Sequence, residues 1–169
     1  MNQRSNRGFS LIELMVVIAI IAIMAAIAVP SFGAGVRNAR ERSIVQRMMQ
    51  DFMWARGAAA TVDASTLNSS LSGPPTLTFV LKSDCSWTTA VNGTTDTKHS
   101  MTSAAVSAIS TGVACSGTGL TLPATFTFNP QGFVDKSGTL NFSSTSQLTP
   151  LKFQFLYSGS VFRAASSAS

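Results

Sequence analysis

The sequence predicts an α+β protein: one long N-terminal helix, apolar in its first half and amphipathic in its second, packed on a C-terminal antiparallel β-sheet domain. Three observations predict it. From Phe9 to Val29 only Ser10 and Glu13 interrupt a run of 21 apolar residues. Past that run, Val45, Met48, Met49 and Phe52 recur with helical spacing. From Thr76 onward the apolar period drops to two. At 169 residues and 17.7 kDa the chain has room for one modest core. The divisions read from it are a basic leader at 1–8, a membrane-spanning helix at 9–29, an amphipathic helix half at 30–60, a linker at 61–75 and a β-rich domain at 76–169.

Composition narrows the class. Charged residues make up 11% of the chain and hydrophobic ones 45%, which excludes a disordered acidic or basic tail protein. The net charge of +5 is unevenly placed: seven of the twelve positive residues are arginines at 4, 7, 37, 40, 42, 47 and 56. From Gly57 on, Lys82, Lys98, Lys136, Lys152 and Arg163 stand against Asp63, Asp84, Asp96 and Asp135. The basic character therefore belongs to the N-terminal third, and the β-rich remainder is near neutral.

As a helix the apolar run is about 31 Å long at roughly 1.5 Å per residue, enough to cross a bilayer core. Arg4 and Arg7 are the only charges before it, so the positive-inside bias keeps the leader cytoplasmic and exports the rest. An ordinary secretory signal with a cut near Ala28 is the plain alternative; it would leave an exported β-domain. The run is long for such a peptide, and helix-compatible sequence continues past Pro30. Glu13 is the telling residue, because an ionised carboxylate in hydrocarbon costs on the order of 2.5–3.5 kcal/mol at a helix centre and less near the interface. It needs a partner.

The string Arg7-Gly8-Phe9-Ser10-Leu11-Ile12-Glu13-Leu14, followed by the apolar run and Pro30, closely resembles the class III leader of type IV pilins and type II secretion pseudopilins. The resemblance implies a pilin-like fold and a bacterial inner-membrane protein, single-pass with a cytoplasmic leader and a periplasmic C-terminal domain, that later joins a filament. It also implies that a prepilin peptidase cuts after Gly8, that Phe9 becomes the methylated N-terminus, and that Glu13 neutralises a neighbouring subunit's N-terminal amine during assembly. The implied partners are that peptidase, other pilins or pseudopilins, and inner-membrane lipid. Elementary electrostatics agrees: pairing a buried amine with a buried carboxylate between subunits relieves two desolvation costs at once.

In the second half of the helix, Val45, Met48, Met49 and Phe52 form a core-facing stripe. Arg40, Arg47 and Asp51 cluster on another side, read as a solvated face, and Arg37 and Glu41 are spaced to pair on the helix surface. Pro30 removes one backbone hydrogen bond and marks a helix bend, with Gly33 and Gly35 adding freedom nearby. Gly57 reads as the end of the helix, with a short helical piece at Ala58–Val62 and the linker after it.

In the C-terminal domain, strands are expected around Leu77–Leu81, Leu120–Phe128, Leu140–Phe142 and Leu151–Tyr157, with a last hairpin through Ser158-Gly159 to Val161–Arg163. Asn129-Pro130-Gln131-Gly132 has turn chemistry. The stretch 84–119 reads as a loop. It holds Cys85 and Cys115, and two cysteines in a domain exported by its leader favour one disulfide. His99 reads as an exposed loop residue, and Asn68, Asn92 and Asn141 begin N-x-[ST] matches expected by chance in so Ser/Thr-rich a chain. No residue set nominates a catalytic, metal or cofactor site, so the chain reads as no enzyme.

The segment Phe126-Thr-Phe-Asn-Pro-Gln-Gly-Phe-Val, then Gly138-Thr-Leu-Asn-Phe and a final strand pair, resembles the GspH/FimT branch of minor pilins and pseudopilins. That branch implies a minor subunit that helps to initiate or cap a type IV pilus or a secretion pseudopilus. Some FimT-like members resemble DNA receptors with a C-terminal Gly-Arg-x-Arg hairpin. Here the stretch reads Gly159-Ser160-Val161-Phe162-Arg163, so only Lys152 and Arg163 are left as candidate DNA contacts, and weak ones.

Overall fold

A computed structural model describes residues 10–61, 76–145 and 150–164, with the backbone alone at 28–32 and 34. It divides into two compact units, one up to Arg37 and one from Asn38 onward. Helix α1 (Leu11–Thr61) contributes to both. Gly8, Phe9 and, from residue 62, the expected linker lie outside the described residues.

In the first unit α1 is apolar on every side. The large side chains from Leu11 to Ile27 are 47–77% exposed, so among the described residues nothing covers them. A helix that is hydrophobic all round belongs in a membrane or in the core of an assembly. Among the described residues, no helix is long and apolar enough to cross a membrane. The backbone stays helical through Pro30.

In the second unit the same helix carries a buried stripe of Ile44, Val45, Met48, Phe52, Ala55 and Ala59. These recur at intervals of three and four, which sets them on one face. Gly57 does not end the helix, which runs on to Thr61: Ala58, Ala59 and Ala60 are strong helix formers, and Ala55 and Ala59 lie in the core.

The stripe covers two sheets rather than one. β1 (Leu77–Leu81), β2 (Trp87–Val91), β3 (Thr94–Met101) and β5 (Ala124–Phe128) form the first, in the order β3-β2-β1-β5, with every pair antiparallel. The second is β4 (Val113–Thr118), β6 (Gly138–Ser144), β7 (Leu151–Phe155) and β8 (Val161–Ala164), in the order β4-β6-β7-β8, again antiparallel. Leu77, Phe79 and Leu81 are buried while Thr78 and Val80 are half-exposed, as a period of two demands. Phe52 joins the layers: its ring lies 5.0–5.4 Å from those of Phe79, Phe126, Phe128 and Phe155, mostly edge to face.

The stretch 84–119 is no loop. It holds β2, β3, the short helix α2 (Ser103–Ile109) and β4. Asn92 and Gly93 have φ of 52° and 79°, the backbone of a two-residue primed turn, and they join β2 to β3. Thr102 caps α2 by accepting from the Ala105 amide. Leu120 and Leu122 precede β5 instead of forming part of it, and Tyr157 sits in the β7–β8 turn instead of on a strand. The expected last hairpin is present, pairing Phe155 with Val161 and Phe153 with Arg163.

Candidate functional site

Glu13 lies in the first turn of α1, where the Glu13 and Leu14 amides both donate to the Ser10 carbonyl, at 3.1 and 3.3 Å. Its side chain is exposed. The helix thus delivers one acidic group at the N-terminal border of an uncovered apolar rod. That arrangement can form an ion pair with a positive group on another molecule.

In the globular unit the polar residues that sequence patterning assigned to a solvated face are partly inside. Asp51 is 6% exposed. It accepts from the Trp87 indole N–H at 2.9 Å, meets Nδ1 of His99 at 3.2 Å and lies 3.8 Å from Nε of Arg47. His99 is on β3, not in a loop, and its ring stacks on Trp54 with centroids 3.6 Å apart. The group ties α1 to the β2–β3 hairpin. Its bonds clasp the helix to the hairpin. Glu41, expected on the helix surface, is buried and accepts from the hydroxyls of Ser110 and Ser144. Both corrections have one cause: the helix contacts two sheets, so a wider arc of it is covered than the apolar residues alone define.

Cys85 and Cys115 form a disulfide, with Cα atoms 5.2 Å apart. It links the β1–β2 turn of the first sheet to β4 of the second, beside a hydrogen bond from the Cys115 amide to the Ser83 carbonyl at 2.8 Å. In the same turn Asp84 accepts from the amide and hydroxyl of Ser86 at 3.0 and 2.6 Å. Burial pushes the Asp84 carboxyl up. Hydrogen bonds from Ser86 and Ser103, with Lys82 nearby, outweigh that push and hold the group below its ordinary carboxylate range.

The Asn129–Gly132 turn and the β7–β8 turn pack on each other over Arg56. The Asn129 side chain accepts from the Gln131 and Phe133 amides, and the Val134 amide donates to the Tyr157 carbonyl at 2.9 Å. Gly132 and Gly159 have φ of 78° and 70°. A Cβ on Gly159 would lie 2.1 Å from the Gly132 carbonyl oxygen, so the contact admits only glycine there. Lys152 and Arg163, the candidate DNA contacts, are not brought together. Arg163 is opposite Phe153 and shares its face of the sheet, whereas Lys152 is opposite Asn141 and Ala164 on the other face.

The N-terminal pattern has known counterparts. Residues 3–29 match the family model of the prokaryotic N-terminal methylation motif. The likeness is confined to the N-terminus. Over 27 residues it is 74% identical to the type IV major pilin protein PilA of Myxococcus xanthus (strain DK1622), a match covering 16% of this chain and 12% of that protein. No solved structure matches the chain. The methylation-motif match thus coincides with the exposed rod and Glu13, and the β-sheets lie outside both matches.

Proposed function

We propose that this pilin-like chain is a structural subunit that helps to initiate or cap a filament, as a minor pilin of a type IV pilus or a minor pseudopilin of a type II secretion system. One observation carries the reading: the methylation motif ends in a helix whose apolar side chains are uncovered on every side, with Glu13 at its border. Such a rod is stable only among lipid or other rods. In this reading a prepilin peptidase cuts after Gly8, Phe9 is methylated, and Glu13 pairs with a neighbour's amine. The segment 9–29 spans the inner membrane before assembly, and Pro30 gives the helix a point at which to bend. The assignment to the minor, GspH/FimT-like branch draws on the Phe126–Val134 strand and turn, closed against the last hairpin by Gly132 and Gly159.

The test is intact mass and N-terminal sequencing of membrane-fraction protein, made with and without the prepilin peptidase, beside Glu13→Ala. The expected result is a methylated N-terminus at Phe9 that depends on the peptidase. Glu13→Ala should still be cut but should fail to enter filaments. A start near Val29 would sink the reading and leave an exported β-domain; an uncut Met1 would also sink it and leave an anchored one.

A further inference from the structure

We propose that a cleft between α1 and the β8 edge of the second sheet receives an extended, acidic and apolar segment of a neighbouring protein subunit. The cleft has a volume of about 350 Å³ and is lined by Arg42, Val45 and Met49 of α1, Leu151 and Phe153 of β7, and Arg163 of β8. Its floor is apolar and partly wetted: Val45 and Phe153 are buried, whereas Met49 and Leu151 keep some exposure. Burying the rest of that floor favours an occupant with an apolar side chain.

The rim selects the charge. Arg42 and Arg163 are both exposed, and neither enters an ion pair among the described residues. Guanidinium groups with free donors match a carboxylate with two parallel hydrogen bonds. Gln46, one helical turn from Arg42, also lines the cleft and offers an amide donor and acceptor of the kind a peptide backbone meets. Among the described residues β8 is the last strand of its sheet and pairs only with β7. An unpaired strand edge is a template for another strand. A strand added there would pass beside Arg163, with its inward side chains directed toward Arg42 and Gln46.

These features together choose a polypeptide. A nucleic acid or lipid headgroup would engage the two guanidiniums and leave the apolar floor and the strand edge unused. Lys152, on the other face of the sheet, adds no third positive charge. The proposal rests on the pilin reading only for where the segment comes from, which is the next subunit in a filament.

The experiment uses the full chain in detergent micelles and fluorescence anisotropy with two labelled peptides, acetyl-Val-Asp-Val-Glu-Val-amide and its Asn/Gln counterpart. A short DNA duplex and phosphatidylglycerol vesicles serve as competing arms. The acidic peptide should bind at least tenfold more tightly than the amide peptide, and Arg42→Gln with Arg163→Gln should erase the difference without moving the thermal melt. Amide exchange in β8 should slow when the acidic peptide is present. Equal binding of the two peptides, or an unchanged preference in the double variant, would overturn the proposal. So would duplex or vesicles responding to the substitutions while the peptides do not bind. N-terminal sequencing reads the filament assignment separately: a chain correctly cut at Phe9 that ignores the acidic peptide overturns the cleft alone. An uncut chain that binds it overturns the filament as the source and retains the peptide preference.

Discussion

Over residues 11–27 helix α1 exposes its apolar side chains in every direction, whereas over 44–59 it hides one stripe and shows polar residues elsewhere. One continuous helix therefore meets two environments. The second half is held by its own chain, through Phe52 and the two sheets. Among the described residues the first half has no such partner, and an apolar rod of that kind suits lipid or an assembly. Stability of the fold and competence to assemble are thus encoded in separate stretches of one element, and substitutions should separate them.

The strongest test compares Phe52→Ala with Ile18→Ala. Phe52 is fully buried and touches four aromatic rings from both sheets, so its truncation should cost about 3–5 kcal/mol. That is a large part of a typical domain's stability. Ile18, 56% exposed, should leave urea unfolding of the globular unit unchanged. Equal losses from the two, measured by near-ultraviolet circular dichroism in detergent, would show that the halves are not energetically separate.

The disulfide comes next. Cys85 and Cys115 are 30 residues apart in sequence and join the two sheets. Replacing both with Ser should lower stability by about 3–4 kcal/mol, on the model in which the bridge restricts the unfolded chain. A shift in the urea midpoint of the globular unit, with no change in Phe9 processing, is the expected result. An unchanged midpoint would mean that the Phe52 cluster alone holds the sheets together.

How much of this was legible in the sequence depends on how local the signal is. The 45–52 stripe, the strands of Leu77–Leu81 and Leu151–Phe155 and the final hairpin follow from periodicity and turn chemistry, and the structure has them. By pattern alone the 84–119 stretch reads as a loop, because Ser, Thr, Ala and Gly leave little apolar alternation there. Its real signals were punctual: Asn92-Gly93, the strongest short hairpin cue, and Thr102 before a run of small helix formers. The Asp51 clasp was not legible, since Trp87 and His99 reach it from 36 and 48 residues away. Periodicity places a residue on a face but does not say how wide the covered face will be.

That clasp gives a third, smaller prediction. Asp51→Ala strands the indole N–H of the fully buried Trp87, which should cost about 1–3 kcal/mol, the penalty of an unsatisfied buried donor. Adding Trp87→Phe removes that donor, so the double variant should lose less than the sum of the two single losses. Strict additivity in the cycle would show that the indole–carboxylate bond contributes nothing of its own.

The smallest effect belongs to Asp84, at the other end of the sheet connection. Its carboxyl is held below the ordinary value near 3.9 because hydrogen bonds from Ser86 and Ser103 and the charge of Lys82 exceed the opposing push of burial. A depressed folded pKa means that the unfolded chain takes up its proton first as the pH drops. The contribution is therefore fully present above the unfolded value and disappears as the pH falls through the folded one. Asp84→Asn should lose about 0.5–1 kcal/mol at neutral pH, the ordinary net worth of a partly exposed hydrogen bond. Below the folded pKa the variant and the parent chain should converge. Unfolding measured from pH 7 down to pH 2.5 tests the sign directly: a gap that widens on acidification would mean that the protonated form holds the turn. In that case the Ser86 hydroxyl would be accepting from the Asp84 carboxyl, where the described geometry has it donating.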